Sequence, residues 1–394
     1  MGNDKKPCKL VVVETHPIQY KAPLFRMLAE RPEIDLTVLY AMLPDAAAQG
    51  AGFGVAFEWD VPLLEGYRYE VLENRALQPS VTTFGGCDTP GIYQWLRRER
   101  PDTVLVNGWV TKTCLQTLWA CRRLGIPCMV RGEANLLRLR AWWKHLGHRL
   151  LLKQYAAYLP IGSANRAFYQ FHGCPDSRLF NVPYCVDNER FAIAAGQRAS
   201  RRKELREAFG IPVDTVVFLF CGKLISKKRP LDVIRALQQL SAFQHFSISA
   251  FLLIVGDGPL MEECKSAIEA NNLPAVCAGF LNQQQIADAY VAADVLVLPS
   301  DTGETWGLVV NEAMASGLPA IVSRAVGCCE DLIVEGETGY AFDLGDVDSL
   351  AQLMQRYLDE PGLARKQGEM AAKHIEKFSL PVAGDGIVNA LKYF

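Results

Sequence analysis

The sequence predicts an α/β protein built from two doubly wound, parallel-sheet domains in tandem, and three observations carry that expectation. Short unbroken apolar runs, Leu10 to Val13 at one end and Val295 to Leu298 at the other, alternate with helical periodicity along the whole chain. The length of 394 residues is enough for two ordinary cores. The rhythm breaks between Phe180 and Phe191, and resumes with a charged helical stretch at 200–209. That break divides the chain into a first domain at 1–190, a second at 191–377 and a final amphipathic helix at 378–394 that returns to the first.

In the first domain, strands are expected at 9–14, 34–40, 103–106, 128–131 and 157–161, with helices at 23–30, 92–100 and 114–124. The stretch 50–79 is rich in Gly, aromatics and Pro, and reads as loops or a hairpin over the sheet's ligand edge. In the second domain the alternation is strand 216–221, helix 231–240, strand 249–255, helix 260–271, strand 276–278, helix 283–292 and strand 295–298. A helix at 306–316 follows, closed by Gly317 and Pro319.

Composition excludes several classes. A formal net charge of -2 gives no global field to recruit nucleic acid. No run approaches the roughly 18 apolar residues that span a bilayer, and no charged-then-apolar signal opens the chain, so the expectation is a cytoplasmic protein. Twelve cysteines show no C-x-x-C pair and read as reduced and buried, with the adjacent Cys328 and Cys329 in packing roles.

The chain is organised around 299–317. Glu304 falls where a strand's carboxyl end meets a helix N-terminus, the place where open α/β sheets bind ligands. Glu312 follows eight residues later, about two helical turns on, with Trp306, Gly307, Leu308 and Asn311 between them. Gly222 and Lys223 end another strand, and Lys227, Lys228 and Arg229 precede the helix opened by Pro230. Such clustered cations suit a diphosphate, although alone the stretch also reads as a solvated basic loop. Gly256, Asp257, Gly258 and Pro259 form a second strand-to-helix turn, but Met261 stands where a dinucleotide fingerprint needs its third glycine, which argues against a dehydrogenase.

Other features have plainer readings. Asp346 and Asp348 resemble a metal-binding pair but precede a helix beginning near Ser349, so capping is the stronger account. Trp142, Trp143, His145 and His148 lie among five Arg or Lys between Arg138 and Lys153, which suits a metal face or an interfacial helix toward anionic lipid. His16 follows the first strand beside Pro17 and Gln19, as a ligand-facing or a purely structural turn histidine.

Taken together, the second half resembles the family 4 retaining glycosyltransferases of the GT-B fold. Asn181, Val182, Pro183, Val186, Asp187 and Phe191 are similar to the family's inter-domain signature, and Gly222, Lys223 and Lys228 to its phosphate loop. Gly256 to Pro259 match its next turn, and Pro299, Ser300, Glu304, Gly307, Glu312, Ala313, Gly317 and Pro319 match its E-x7-E element in order and spacing. Gly327, Glu330 and Gly339 continue the pattern.

The resemblance implies two Rossmann-like domains facing an inter-domain cleft. It also implies transfer of a sugar from a nucleotide-sugar donor, UDP-sugar foremost, to a small-molecule, glycan or lipid-linked hydroxyl, with no cofactor or metal. Lys223 and Lys228 would hold the diphosphate, Glu312 the ribose, and Glu304 with the N–H groups of Trp306, Gly307 and Leu308 the sugar or its phosphate. Gly222, Gly256 and Gly258 would shape the donor loops, and no enzyme nucleophile is implied.

Two departures stand out. Lys223 replaces the family's usual Arg and loses its planar fork. In the first domain the usual glycine pair after strand one is replaced by Thr15 to Tyr20, and the usual later histidine by the neighbourhood of Arg131, Gly132 and Glu133. His16, Gln19, Arg131 and Glu133 are accordingly the acceptor-side candidates. Two rival readings share the scaffold: a nucleotide-sugar hydrolase or epimerase, and a non-catalytic nucleotide-sugar-binding protein. A peripheral station at the inner face of an anionic membrane, through 138–153, completes the expectations.

Overall fold

The computed structural model describes residues 6–50, 56–242 and 249–394. The chain divides into two compact units, the first comprising 1–45, 62–184 and 380–394, the second 46–61 and 185–379.

The first unit holds a six-stranded sheet of β1 (Cys8–Glu14), β2 (Ile34–Tyr40), β3 (Tyr69–Val71), β4 (Thr103–Val106), β5 (Cys128–Val130) and β6 (Ala157–Tyr158), in the order β3-β2-β1-β4-β5-β6. All its pairings are parallel. Leu10 to Val13 are at most 3% exposed, which is why an uninterrupted apolar run is the right sequence for a strand covered by helices on both faces. The strand order reverses between β1 and β4, so the loops after these strands open the crevice where such sheets bind ligands.

The second unit repeats the design with β7 (Thr215–Cys221), β8 (Ser249–Val255), β9 (Ala275–Gly279), β10 (Val295–Leu298), β11 (Ala320–Ser323) and β12 (Gly339–Phe342), in the order β12-β11-β10-β7-β8-β9. Here the reversal lies between β7 and β10. Their carboxyl ends carry the two stretches that the sequence singles out, 222–228 and 299–307.

Several elements differ from the sequence reading. Within 50–79 there is no hairpin among the described residues; Tyr69–Val71 is an edge strand parallel to β2, with Val38 opposite Tyr69. Its three residues are exposed, so no apolar face marks it in the sequence. Residues 51–55 of that stretch lie outside the described residues. The segment 46–61 belongs to the second unit, although it falls within the expected 1–190. Phe57 lies against Phe280 with ring centroids 4.3 Å apart, and Asn282 and Gln284 donate to the carbonyls of Glu58 and Asp60 at 2.7 and 2.6 Å.

Helices at Asn188–Gly196, Ser163–Phe171 and Leu363–Ile375 add to those expected. Asp346 caps the helix Val347–Asp359 by accepting from the Ser349 N–H at 2.9 Å.

The last helix, Leu380–Leu391, belongs to the first unit and packs on the helix Ala22–Ala29. Two glycines allow its close approach: a Cβ on Gly386 would fall 2.0 Å from the Asn181 carbonyl oxygen, and one on Gly384 2.5 Å from Met27 Cε. Arg31 and Asp385 add an ion pair at 2.8 Å.

Candidate functional site

In the second unit, β7 ends at Cys221 and the chain turns through Gly222 with φ of +146°, a conformation glycine adopts without strain. A Cβ there would sit 3.6 Å from Lys228 Cε, so the bare backbone leaves the lysine's ammonium close above it. Neighbouring β8 turns at Gly256, where a Cβ would fall 1.9 Å from the Gly222 carbonyl oxygen. The two loops can therefore lie side by side only if position 256 has no side chain. Gly258 is similarly close to Leu224, whose N–H bonds the Asp257 carbonyl at 2.9 Å.

The loop after β10 is tied to the lysine loop, because the Asp301 N–H donates to the Lys227 carbonyl at 2.8 Å. The Asp301 carboxylate accepts from the Gly303 N–H at 2.7 Å and tightens the turn that presents Glu304. Glu304 Oε2 then lies 2.6 Å from Lys228 Nζ and 3.8 Å from Lys227 Nζ. Lys223 completes the cluster: burial, followed by the charges of Lys227 and Lys228, lowers its pKa from the usual lysine range. A half-buried ammonium made easier to deprotonate by its neighbours is one whose charged form an arriving anion would favour.

Gly307, with φ of +106°, caps the helix Leu308–Ala315, and the N–H groups of a helix's first turn lack intrahelical acceptors. The Trp306 ring faces inward, 3% exposed, its indole donating to Asn311 Oδ1 at 2.8 Å. What Trp306 can offer a ligand is its backbone. Glu312 is half-buried and accepts from Tyr290 OH at 2.6 Å. Burial raises its pKa above 4.5, opposed by the Tyr290 hydrogen bond and the charges of Arg190 and Lys228. Arg190 is itself held by Gln283 Oε1 at 2.7 Å and lies 4.5 Å from the Phe191 ring centroid. Lys223, Lys228, Glu304, Gly307, Leu308 and Glu312 thus gather at the carboxyl ends of β7 and β10.

The first unit has a polar group at its own strand-order reversal. Glu14 ends β1, is 3% exposed, pairs with Lys21 at 3.0 Å and accepts from Asn107, which follows β4. Burial raises the Glu14 pKa, with Lys21 the largest opposing influence. His16 accepts from or donates to Thr15 Oγ1 at 2.9 Å, and burial with the Lys21 charge lowers its pKa to about 4. It is a neutral imidazole at physiological pH. Gln19 lies half-buried in the same loop.

Arg131, after β5, donates to the carbonyls of Val182 and Pro183 at 3.2 Å each and stacks 4.7 Å from the Tyr184 ring centroid. Tyr184 donates to Glu133, and its ring meets Tyr20 edge-on at 5.8 Å. Arg131 and Glu133 therefore flank one tyrosine, while His16 belongs to the Glu14–Lys21 side.

Sequence reasoning missed Tyr290, Arg190, Glu14, Lys21, Asn107 and Tyr184. Glu14 had a signal, a carboxylate closing an otherwise apolar run. Tyr290 had none, since its contact with Glu312 joins two separate helices. Among the described residues no group of three or more His, Cys, Asp or Glu side chains is placed to hold a metal ion.

Two Rossmann-like units with the strand orders above define the GT-B class, and comparison with solved structures agrees. Anabaena HepE in complex with UDP-glucose superposes with a TM-score of 0.70 at 15% identity, over 98% of this chain and all (100%) of that one. Residues 201–374 match the family described as glycosyl transferases group 1. Sulfoquinovosyl transferase SQD2 of Arabidopsis thaliana is 34% identical over 162 residues, 40% of this chain and 31% of that protein. D-inositol 3-phosphate glycosyltransferase of Streptomyces avermitilis is 31% identical over 206 residues, 50% of this chain and 43% of its own. The matches thus span less than half the length of these curated relatives.

Proposed function

We propose that the protein is a retaining, metal-independent glycosyltransferase that moves a sugar from a nucleotide-sugar donor, UDP-sugar foremost, to the hydroxyl of a small-molecule, glycan or lipid-linked acceptor. The observation that carries this reading is the lysine cluster of 223, 227 and 228 closed on Glu304, with Lys228 Nζ 2.6 Å from the carboxylate. Transfer breaks the bond between the sugar's anomeric carbon and the diphosphate oxygen while the acceptor oxygen bonds to that carbon. Negative charge grows on the departing diphosphate, and fixed ammonium groups stabilise it where it develops. Lys223 and Lys228 hold that diphosphate, Glu312 the ribose hydroxyls, and Glu304 with the N-terminus of 308–315 the sugar end. Departure and attack take place on one face, and the leaving phosphate assists in deprotonating the acceptor. The UDP-glucose bound by the structurally similar HepE supports the uridine donor. The twelve free cysteines suit a reducing, cytoplasmic setting.

The test is calorimetric titration of UDP-, GDP-, ADP- and dTDP-sugars into the full chain, followed by transfer assays with and without EDTA. One nucleotide should bind, and transfer should persist in EDTA. Binding of none would overturn the donor reading, and loss of transfer in EDTA the metal-free mechanism. Donor consumption that is faster without acceptor would make the protein a hydrolase or epimerase, and binding without turnover a sensor.

A further inference from the structure

The helix Trp142–Leu152 in the first unit has two unlike faces. Its inner face anchors it: Leu152 is fully buried, His145 Nδ1 lies 3.1 Å from His172 Nε2, and the His148 ring sits 5.3 Å from that of Phe168. These residues recur at helical spacing on one side. On the opposite side Trp142, Trp143, Leu146 and Leu150 are 76, 57, 50 and 57% exposed, and Leu139 just before the helix is 96% exposed. Phe171, 60% exposed, extends the patch, its ring 5.2 Å from His145. Scattered exposed apolar residues are ordinary, but a contiguous patch with two tryptophans calls for an occupant.

Charge identifies it. Between Glu133 and Asp176 the sequence contains no acidic residue, whereas Arg138, Arg140, Lys144, Arg149, Lys153 and Arg166 all fall there. In a chain of net charge -2 this is a strong local asymmetry. Arg138, Lys144, Arg149 and Lys153 are exposed, and Lys144 Nζ lies 5.2 Å from the Trp143 ring centroid. Apolar residues with tryptophans on the outward side, rimmed by cations, match the boundary of an anionic bilayer, where indoles settle at headgroup depth and ammonium and guanidinium groups meet lipid phosphates. A second copy of this chain fits poorly, because a two-fold interface on this patch would set one basic rim against another.

We propose that the outward face of Trp142–Leu152, with Leu139 and Phe171, is a docking surface for anionic lipid bilayers. The tryptophans and leucines insert to the depth of the headgroups, and the basic rim supplies the preference for anionic lipid and a sensitivity to salt. The surface belongs to the first unit and the lysine cluster to the second, so lipid binding stands or falls independently of the donor reading.

The test sediments the full chain with phosphatidylcholine vesicles and with vesicles of equal parts phosphatidylcholine and phosphatidylglycerol. The expected result is at least roughly tenfold tighter binding to the anionic vesicles, weakened by added salt. The double variant Trp142→Ser, Trp143→Ser and the triple variant Arg138→Glu, Lys144→Glu, Arg149→Glu should each lose it, with unfolding temperature and nucleotide binding unchanged. Should the tryptophan variant fail to fold, the charge-reversed variant decides. Equal affinity for both vesicles, or undiminished binding by the folded variants, would overturn the proposal. So would self-association, seen by analytical ultracentrifugation and abolished by the tryptophan variant, in the absence of vesicle binding.

Discussion

Lys228 Nζ lies 2.6 Å from Glu304 Oε2, joining the loop after β7 to the loop after β10 with both side chains largely buried. The two strands are neighbours in the sheet although some eighty residues separate their ends, and the pair sits where the strand order reverses. It makes each loop's position depend on the other.

Lys228→Ala should weaken nucleoside-diphosphate binding by about 10- to 100-fold, the range for losing a charge-assisted hydrogen bond. Calorimetry with UDP, alongside circular dichroism to confirm folding, measures it. Wild-type affinity in the folded variant would remove Lys228 from the site.

Glu312 gives a pH prediction. Burial raises its folded pKa above the ordinary 4.5, so the folded state holds the proton more tightly than the unfolded chain. Stability from this group is intact below 4.5, falls as pH rises from there through the raised value, and is constant above it. Glu312→Gln should flatten that decline and stabilise the protein at neutral pH, while weakening nucleotide binding. Urea denaturation across the acid range compares the two proteins; a steeper decline in the variant contradicts the sign.

Gly256→Ala should destabilise the second unit by about 1–3 kcal/mol from its backbone conformation alone. The contact adds to this, since the new Cβ would fall 1.9 Å from the Gly222 carbonyl oxygen. Thermal unfolding gives the answer, and an unchanged midpoint would mean that the two loops separate at no cost.

Arg131→Lys distinguishes a positioning role from ligand contact. The guanidinium serves two carbonyls and a tyrosine face at once, which an ammonium cannot reproduce. The expected cost is about 1–3 kcal/mol of stability with unchanged UDP affinity. A loss of affinity without a loss of stability would place Arg131 at a ligand instead.

How much of this could be read beforehand depends on the range of the interaction. The central strands were legible because burial on both faces demands apolar runs, and β2 and β10 occupy the expected residues. The gathering of Lys228 and Glu304 at the ends of β7 and β10 was legible because the glycines, lysines and glutamates keep a motif's order. Tyr69–Val71 was not, since an exposed edge strand needs no apolar pattern. Nor was the attachment of 46–61 to the second unit, which depends on Phe57 meeting Phe280, two residues with no local signal connecting them. The Glu14–Lys21 pair is close in sequence, yet its burial follows from the fold around it and not from its spacing.

The return of Leu380–Leu391 to the first unit also bears on synthesis. A ribosome releases 62–184 early, but the helix that covers Ala22–Ala29 is translated only after the whole second unit. During that interval Met27 lacks the Gly384 backbone it packs against, and Arg31 lacks its partner Asp385. Because domains form in the order of translation, the first unit begins folding first and is completed last.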